Sequence, residues 1–449
     1  MFAFTAKKGR IVGAAAITAL LAGTVAACGD SQDTAQTTSP ADAEAALSEE
    51  SSLLVWGWDP AIQPVADAFE AKYPNIDVEV VNVGTGSDHY TKVQNAITAS
   101  SGAPDLAQME YYAIPQFALS GGLADLTALG AGELESSYTP AAWNNVVVND
   151  AIYGLPWGTG PMALFYNKAV FDEHGVEVPG TWDEYVAAAK TLHEADPDLY
   201  ITNDAGDAGF ATSMMWQAGG QPFQIDGTNV SVNLQDEGSM KWANTWNELV
   251  QNDLVAPISS WSDEWYQGLS NGSIASLTIG AWMAGNLESG VPDGAGDWRV
   301  APMPVWNEGD TTTAENGGGA FSVLEQSDNK VVAQEFLEFM TASSEGQKIT
   351  LDTVDGIPST VAELSDEQWL NREWEYFGGQ QVNQVLADAA NNVVEGWQYL
   401  PFQVFANSVF ADSVGQSYAN KSDINAGLSQ WQDAIVSYGE QQGFEVSAQ

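Results

Sequence analysis

The chain of 449 residues sets 13 Lys and Arg against 60 Asp and Glu, a formal net charge of -47, and has one cysteine and three histidines. A polyanion of this kind is repelled by phosphate backbones and anionic membrane surfaces, which excludes nucleic acid as a partner; one Cys and three scattered His exclude an internal disulfide, a structural zinc cluster and a Cys/His nucleophile pair. Hydrophobic residues at 45%, with 17 Trp, 14 Tyr and 16 Phe, suffice for large cores and are unlike a disordered acidic tail, and the length predicts about two to three domains.

The first element is an address. Lys7, Lys8 and Arg10 precede an uncharged stretch, Ile11 to Ala27, shorter than the ~20 residues a permanent membrane helix needs. Val25-Ala26-Ala27-Cys28 resembles a bacterial lipobox, so residues 1–27 are expected to be cleaved as a lipoprotein signal peptide and Cys28 to become a lipidated N-terminus. The mature net charge would be -50, since the leader holds three positive and no negative side chains. Two acyl chains anchor stably where one is marginal. Residues 28–52, rich in Ser, Thr, Asp, Glu, Gln and Ala, predict a flexible tether.

Folded pattern is expected from Leu53 onward. Leu53–Trp56 is an apolar strand, Pro64–Tyr73 carries Val65, Ala68 and Phe69 at helical spacing, and Ile76, Val78 and Val80 alternate with acids in a second strand. A helix over Asp88–Ser101, a strand over Asp105–Met109 and a helix over Ile114–Leu119, stopped by Gly121 and Gly122, repeat the period. Farther on, Ala163–Tyr166 predicts a strand, Thr181 caps a helix over Trp182–His193, and Lys330–Met340 predicts an amphipathic helix. Alternation of this kind predicts an α/β architecture.

Tyr153-Gly-Leu-Pro-Trp-Gly158, Leu164-Phe-Tyr-Asn-Lys168 and Pro179-Gly-Thr-Trp-Asp-Glu-Tyr185, followed in order by Trp216-Gln-Ala-Gly-Gly220, Gly280-Ala-Trp-Met-Ala-Gly285 and Gly317-Gly-Gly-Ala-Phe321, resemble the signature of extracellular solute-binding proteins of the maltose-binding-protein type. The resemblance spans Leu53 to Phe444. It implies a two-lobed periplasmic-binding-protein-like α/β fold with a hinge between the lobes, one at 52–157 with 317–352 and the other at 158–316 with 353–449. It further implies a monomer that is not an enzyme and needs no cofactor. Such a protein captures a neutral oligosaccharide and passes it to ABC permease subunits driven by an ATPase on a separate chain. With the lipobox, this places the protein on the outer face of the cytoplasmic membrane, at the surface of a Gram-positive bacterium.

Sugars offer hydroxyls at the ring edge and C–H groups on the ring face, so their sites combine carboxylate acceptors with indole platforms. Ligands in open α/β sheets bind beyond the carboxyl ends of strands. Trp58 and Asp59 follow the first strand, and Glu110 and Tyr111 follow the third; Trp157 falls at the expected hinge. Trp216 and Trp282 fall where the family places stacking aromatics, Glu395 and Trp397 where it often contacts sugar, and Asn316 precedes three glycines. Against these stand Trp56, Trp182, Trp242 and Trp246, whose apolar surroundings predict core, while His89, His174 and His193 are expected to be solvated. Gly268-Leu-Ser-Asn-Gly272 matches a nucleophile-elbow pattern, but a strand is expected after it instead of the required helix. Gly158-Thr-Gly-Pro-Met-Ala163 matches a dinucleotide fingerprint, yet Pro161 and a strand follow. The rivals in other classes are an anchored glycoside hydrolase, whose paired carboxylates 60 acids could hide, and a sugar-sensing lectin.

Overall fold

The computed structural model describes residues 40–354 and 356–449, so the expected leader, Cys28 and most of the tether lie outside the described residues. The tether reading fails at its end. Pro40–Ser48 is a helix, with Ala43 and Leu47 each 8% exposed, and Leu47 joins the first core. Ala43 and Leu47 sit one helical turn apart, enough of a stripe to dock, although the segment's mean composition looks like a linker.

The main sheet has seven strands: β1 Ser51–Trp56, β2 Ile76–Val81, β3 Leu106–Glu110, β4 Leu155–Asn167, β5 Ser276–Gly280, β6 Trp298–Ala301 and β7 Glu315–Val323. Their order is β5-β4-β7-β3-β1-β2, with β6 also pairing β4. β1 runs parallel to β2 and β3, and the βα crossovers that such pairs require are the helices Ile62–Lys72 and Gly86–Ala99. The predicted helix behind Thr181 spans Trp182–Ala195 and opens with a full capping box, Thr181 and Glu184 each bonding the other's backbone N–H. Lys330–Ala342 is helical with Phe336, Leu337 and Met340 buried, as its pattern predicts.

β4 and β7 carry the chain between the two lobes. Leu155–Pro161 pairs with β7, whereas Met162–Asn167 runs between β5 and β6. β7 meanwhile pairs with β3 from Gly319 to Val323. The β4–β7 register slips twice, between Glu315 and Gly318 and between Gly319 and Ala320. Gly160 lies so close to the Asn316 carbonyl that a Cβ there would collide with it. A third segment crosses beside them: Thr159 N–H donates to the Ile357 carbonyl at 3.3 Å and the Ser359 hydroxyl to the Pro156 carbonyl at 3.0 Å.

The buried residues divide accordingly. One core gathers Leu53, Val55, Phe69, Phe117, Phe321 and Phe336 around β1 to β3. Beyond the crossing, alternate residues of β4 feed two cores on opposite sheet faces: Met162 and Leu164 join Trp182, Trp242, Trp246 and Trp431, while Ala163 and Phe165 join Trp265, Trp298 and Phe377. The four Trp residues read as core include Trp182, Trp242 and Trp246, which are 0–1% exposed; Trp56 is half-buried against the first core.

Candidate functional site

Where the strands of both lobes end, their loops enclose a cavity of about 630 Å³. Its lining comes from Glu110 to Tyr112 after β3, from the stretch 202–213, from Ser259 to Trp261, from β5 and Trp282, from Asn316 to Gly318 in β7, and from Tyr399 to Ala411. No lining residue is cationic.

On the first lobe the central group is Glu110. Its Oε2 accepts hydrogen bonds from the hydroxyls of Tyr90 at 3.0 Å and Tyr112 at 2.9 Å, and its backbone N–H donates to Tyr90 at 2.8 Å. Burial raises the Glu110 carboxyl above the usual range, the two phenols act to lower it, and the charge of Asp207 raises it again. Beside it Tyr111, 1% exposed, donates its hydroxyl to the Gly158 carbonyl at 3.1 Å and so ties the loop after β3 to the crossing strand.

On the second lobe Trp282 is held by its ring nitrogen, which donates to the Asn316 carbonyl at 2.6 Å. Asn316 in turn accepts from Gly280 N–H at 3.3 Å and donates to the Ser213 hydroxyl at 3.2 Å. Gly317, at φ +86°, leaves room for the indole: a Cβ there would stand 2.7 Å from Trp282 Nε1. Asp204 is 6% exposed, accepts from Trp246 Nε1 and from Gly206 N–H at 2.8 Å each, and burial pushes its carboxyl up to about 6. Asp207 caps the helix Ala208–Gln217 by accepting from Phe210 N–H at 2.6 Å. Just behind the cavity Glu315, 2% exposed, accepts from Gly160 N–H at 2.5 Å, and burial pushes it up to about 7.

Of the ten residues singled out from the sequence, Glu110, Tyr111, Trp282 and Asn316 line this cavity. The other six do not. Asp59 Oδ1 accepts from Ala61 N–H at 2.8 Å and its Oδ2 from Trp157 Nε1 at 3.0 Å, so two expected sugar contacts hold each other, and Trp157 is 7% exposed. Trp58 packs edgewise on His89 at 5.1 Å. His89, expected in solvent, is fully buried, and burial lowers its ring to about 4. Trp216, expected as a platform, is 3% exposed and stacks on Trp397 at 5.3 Å with ring planes 7° apart. Each indole gives one face to the other, and neither lines the cavity. Glu395 is exposed and lies away from the lining.

Asp204, Asp207, Ser213, Tyr399 and Trp261 complete the wall without having been singled out. Asp207 and Ser262 carry only the ordinary sign of a helix cap. Trp261 follows Ser259 and Ser260 in a segment with no apolar period, and that isolation was the available signal.

A model of the bacterial extracellular solute-binding protein family matches residues 57–348. Among solved structures, the chain is 41% identical to an ABC transporter associated binding protein of B. animalis subsp. lactis Bl-04 in complex with β-1,6-galactobiose, with a TM-score of 0.80 over 88% of this chain and 99% of that one. It is 26% identical to the galacto-N-biose/lacto-N-biose I-binding protein of Bifidobacterium longum in complex with lacto-N-biose, with a TM-score of 0.78 over 88% and 98%. It is also 27% identical to an arabinooligosaccharide-binding protein of Halalkalibacterium halodurans, over 72% of this chain and 74% of the relative.

Proposed function

Because the chain belongs to the bacterial extracellular solute-binding protein family, we propose that it captures a neutral oligosaccharide between its two lobes and delivers it to an ABC permease powered by a separate ATPase chain. The observation that carries this reading is the cavity between the lobes. It combines an indole, Trp282, with carboxylates and hydroxyls, and its lining has no cation to pair with an acidic ligand. β-Linked galactosides are the first ligands to test, since β-1,6-galactobiose occupies the relative that is 41% identical.

The finer features belong to the same proposal. The protein is a monomer without a cofactor, extracytoplasmic as its family implies, and held by lipid on Cys28 at the outer face of the cytoplasmic membrane. The lobes comprise 52–157 with 317–352 and 158–316 with 353–449, a division supported by the separation of the cores on either side of the crossing. Binding without hydrolysis is favoured by the engagement of the cavity carboxylates: Glu110 is shared by two phenols and Asp204 is spent on an indole and a backbone N–H.

A thermal-shift screen over neutral oligosaccharides tests the function. A ligand at 100 times its Kd adds about 2.7 kcal/mol of stability, so a true ligand raises the melting temperature clearly. Chromatography of the sugar after overnight incubation should show it uncleaved. A panel without any shift, or a cleaved product, would refute the reading.

A further inference from the structure

Trp261 is 51% exposed, the most exposed large apolar side chain among the described residues. Its backbone is at φ +70°, the left-handed region that a bulky side chain rarely adopts. Such conformations persist only where the surroundings impose them, and they gather at ligand sites. Here the imposing contacts are visible on both sides. Asn203 donates from its Nδ2 to the Ile258 carbonyl at 2.9 Å and to the Ser260 hydroxyl at 3.1 Å, and its Oδ1 accepts from Trp265 Nε1 at 2.7 Å. After Trp261, the Ser262 hydroxyl donates to the Ser259 carbonyl at 2.8 Å and caps the helix Asp263–Asn271.

The ring that this loop holds out has no place in a core. It lines the cavity, 5.6 Å from the Trp282 ring with planes 30° apart, while Trp265 supports it from behind at 5.0 Å. Trp282, anchored to Asn316, lies deeper and half-buried, so the two indoles form adjoining facets from the cavity floor to its mouth. A single sugar ring needs one facet. An oligosaccharide lying along the wall presents a C–H face to each in turn.

We infer that Trp261 is an outer stacking platform that receives the ring of the oligosaccharide farther from the cavity floor, and that it thereby selects for ligand length. The inference rests on the oligosaccharide reading above and deepens it. Trp261 is the more exposed of the two indoles, so its contribution is confined to ligands long enough to reach it.

The test titrates galactose, β-1,6-galactobiose and β-1,6-galactotriose, with lacto-N-biose and arabinooligosaccharides in the same panel, into the full folded chain by calorimetry. For Trp261→Ala the loss of affinity should grow with ring count, from less than twofold for the monosaccharide to tenfold or more for the longest sugar bound. Trp261→Phe keeps a flat face and should restore most of it. Trp261→Gly suits the left-handed backbone, so it should melt no lower than the wild type while showing the same length-dependent loss. An equal loss for every ring count would mean that Trp261 merely props Trp282, and no loss would mean that it is not a platform; either overturns the inference. Wild-type protein that binds no member of the panel would instead overturn the oligosaccharide reading itself, and the platform with it.

Discussion

Trp282 and Trp216 each direct an indole N–H onto a backbone carbonyl, that of Asn316 at 2.6 Å and that of Val394 at 2.5 Å. Trp282 lines the cavity and is half-buried, whereas Trp216 is 3% exposed and stacks on Trp397. Their substitutions should therefore separate. Trp282→Ala is expected to weaken sugar binding at least tenfold with little change in melting, since an aromatic anchor contributes on the order of 2 kcal/mol or more. Trp216→Ala should instead lower stability by about 3–5 kcal/mol in urea titrations, the usual cost of emptying a buried Trp site. A stable Trp216→Ala protein that has lost affinity would return Trp216 to the ligand. Glu315 gives a pH signature. Its folded carboxyl sits near 7 against 4.5 when unfolded, so the folded state holds the proton more tightly. Its contribution is then fully present below about 4.5 and is lost as pH rises through about 7. Glu315→Gln should gain stability over the wild type between pH 5 and 7.5 and hold a constant margin above that; a margin that does not change with pH would show that Glu315 titrates normally. The sequence could nominate Trp282 and Trp216 alike because both lie in family-like motifs, and only the neighbour 181 residues farther on, Trp397, distinguishes them.

Elements with a clean period were legible: β1 to β3, their crossover helices and the helix behind Thr181 appear where alternation or helical spacing placed them. β4 was not. Only Ala163–Tyr166 was read as strand, yet it runs 13 residues, because Pro156, Gly158, Gly160 and Pro161 interrupt any local pattern and its first half is extended by pairing with β7. The helix Pro40–Ser48 escaped for a different reason, being anchored by one Leu among alanines. Leu47→Ala should reduce stability by about 2 kcal/mol, the low end for a buried Leu. An unchanged urea midpoint would show that the helix does not dock in solution. Gly317→Ala tests the crossing itself. The new methyl meets Trp282 Nε1 in a left-handed backbone at the cavity wall, so sugar affinity should fall severalfold; unchanged affinity would show that the indole tolerates displacement.

At the scale of the whole molecule, β4, β7 and the segment around Ile357 cross beside one another, and Tyr399 packs against the cores on both sides. Under the proposed function, a ligand that touches both Glu110 and Trp282 should bind a closed arrangement better than an open one. Small-angle scattering should show compaction on sugar addition, at higher sugar concentration for Trp282→Ala; a radius of gyration indifferent to a bound sugar would exclude closure. The legible part at this scale was the two-lobed class, carried by motifs spread along the chain, while the cavity's membership depends on loops 202–213 and 399–411 that no local pattern marks. Cys28→Ser should free a sugar-competent protein into the medium, and retention in the detergent phase would refute lipid attachment. The docked helix at Pro40 then sets a length. With Cys28 lipidated as proposed, the eleven residues 29–39 could span at most about 40 Å between the lipid and that helix. The helix packs on the core built around β1 to β3, so with Cys28 lipidated as proposed that is the part of the protein the anchor would hold, and a ligand-driven closure would have to be carried by the other lobe.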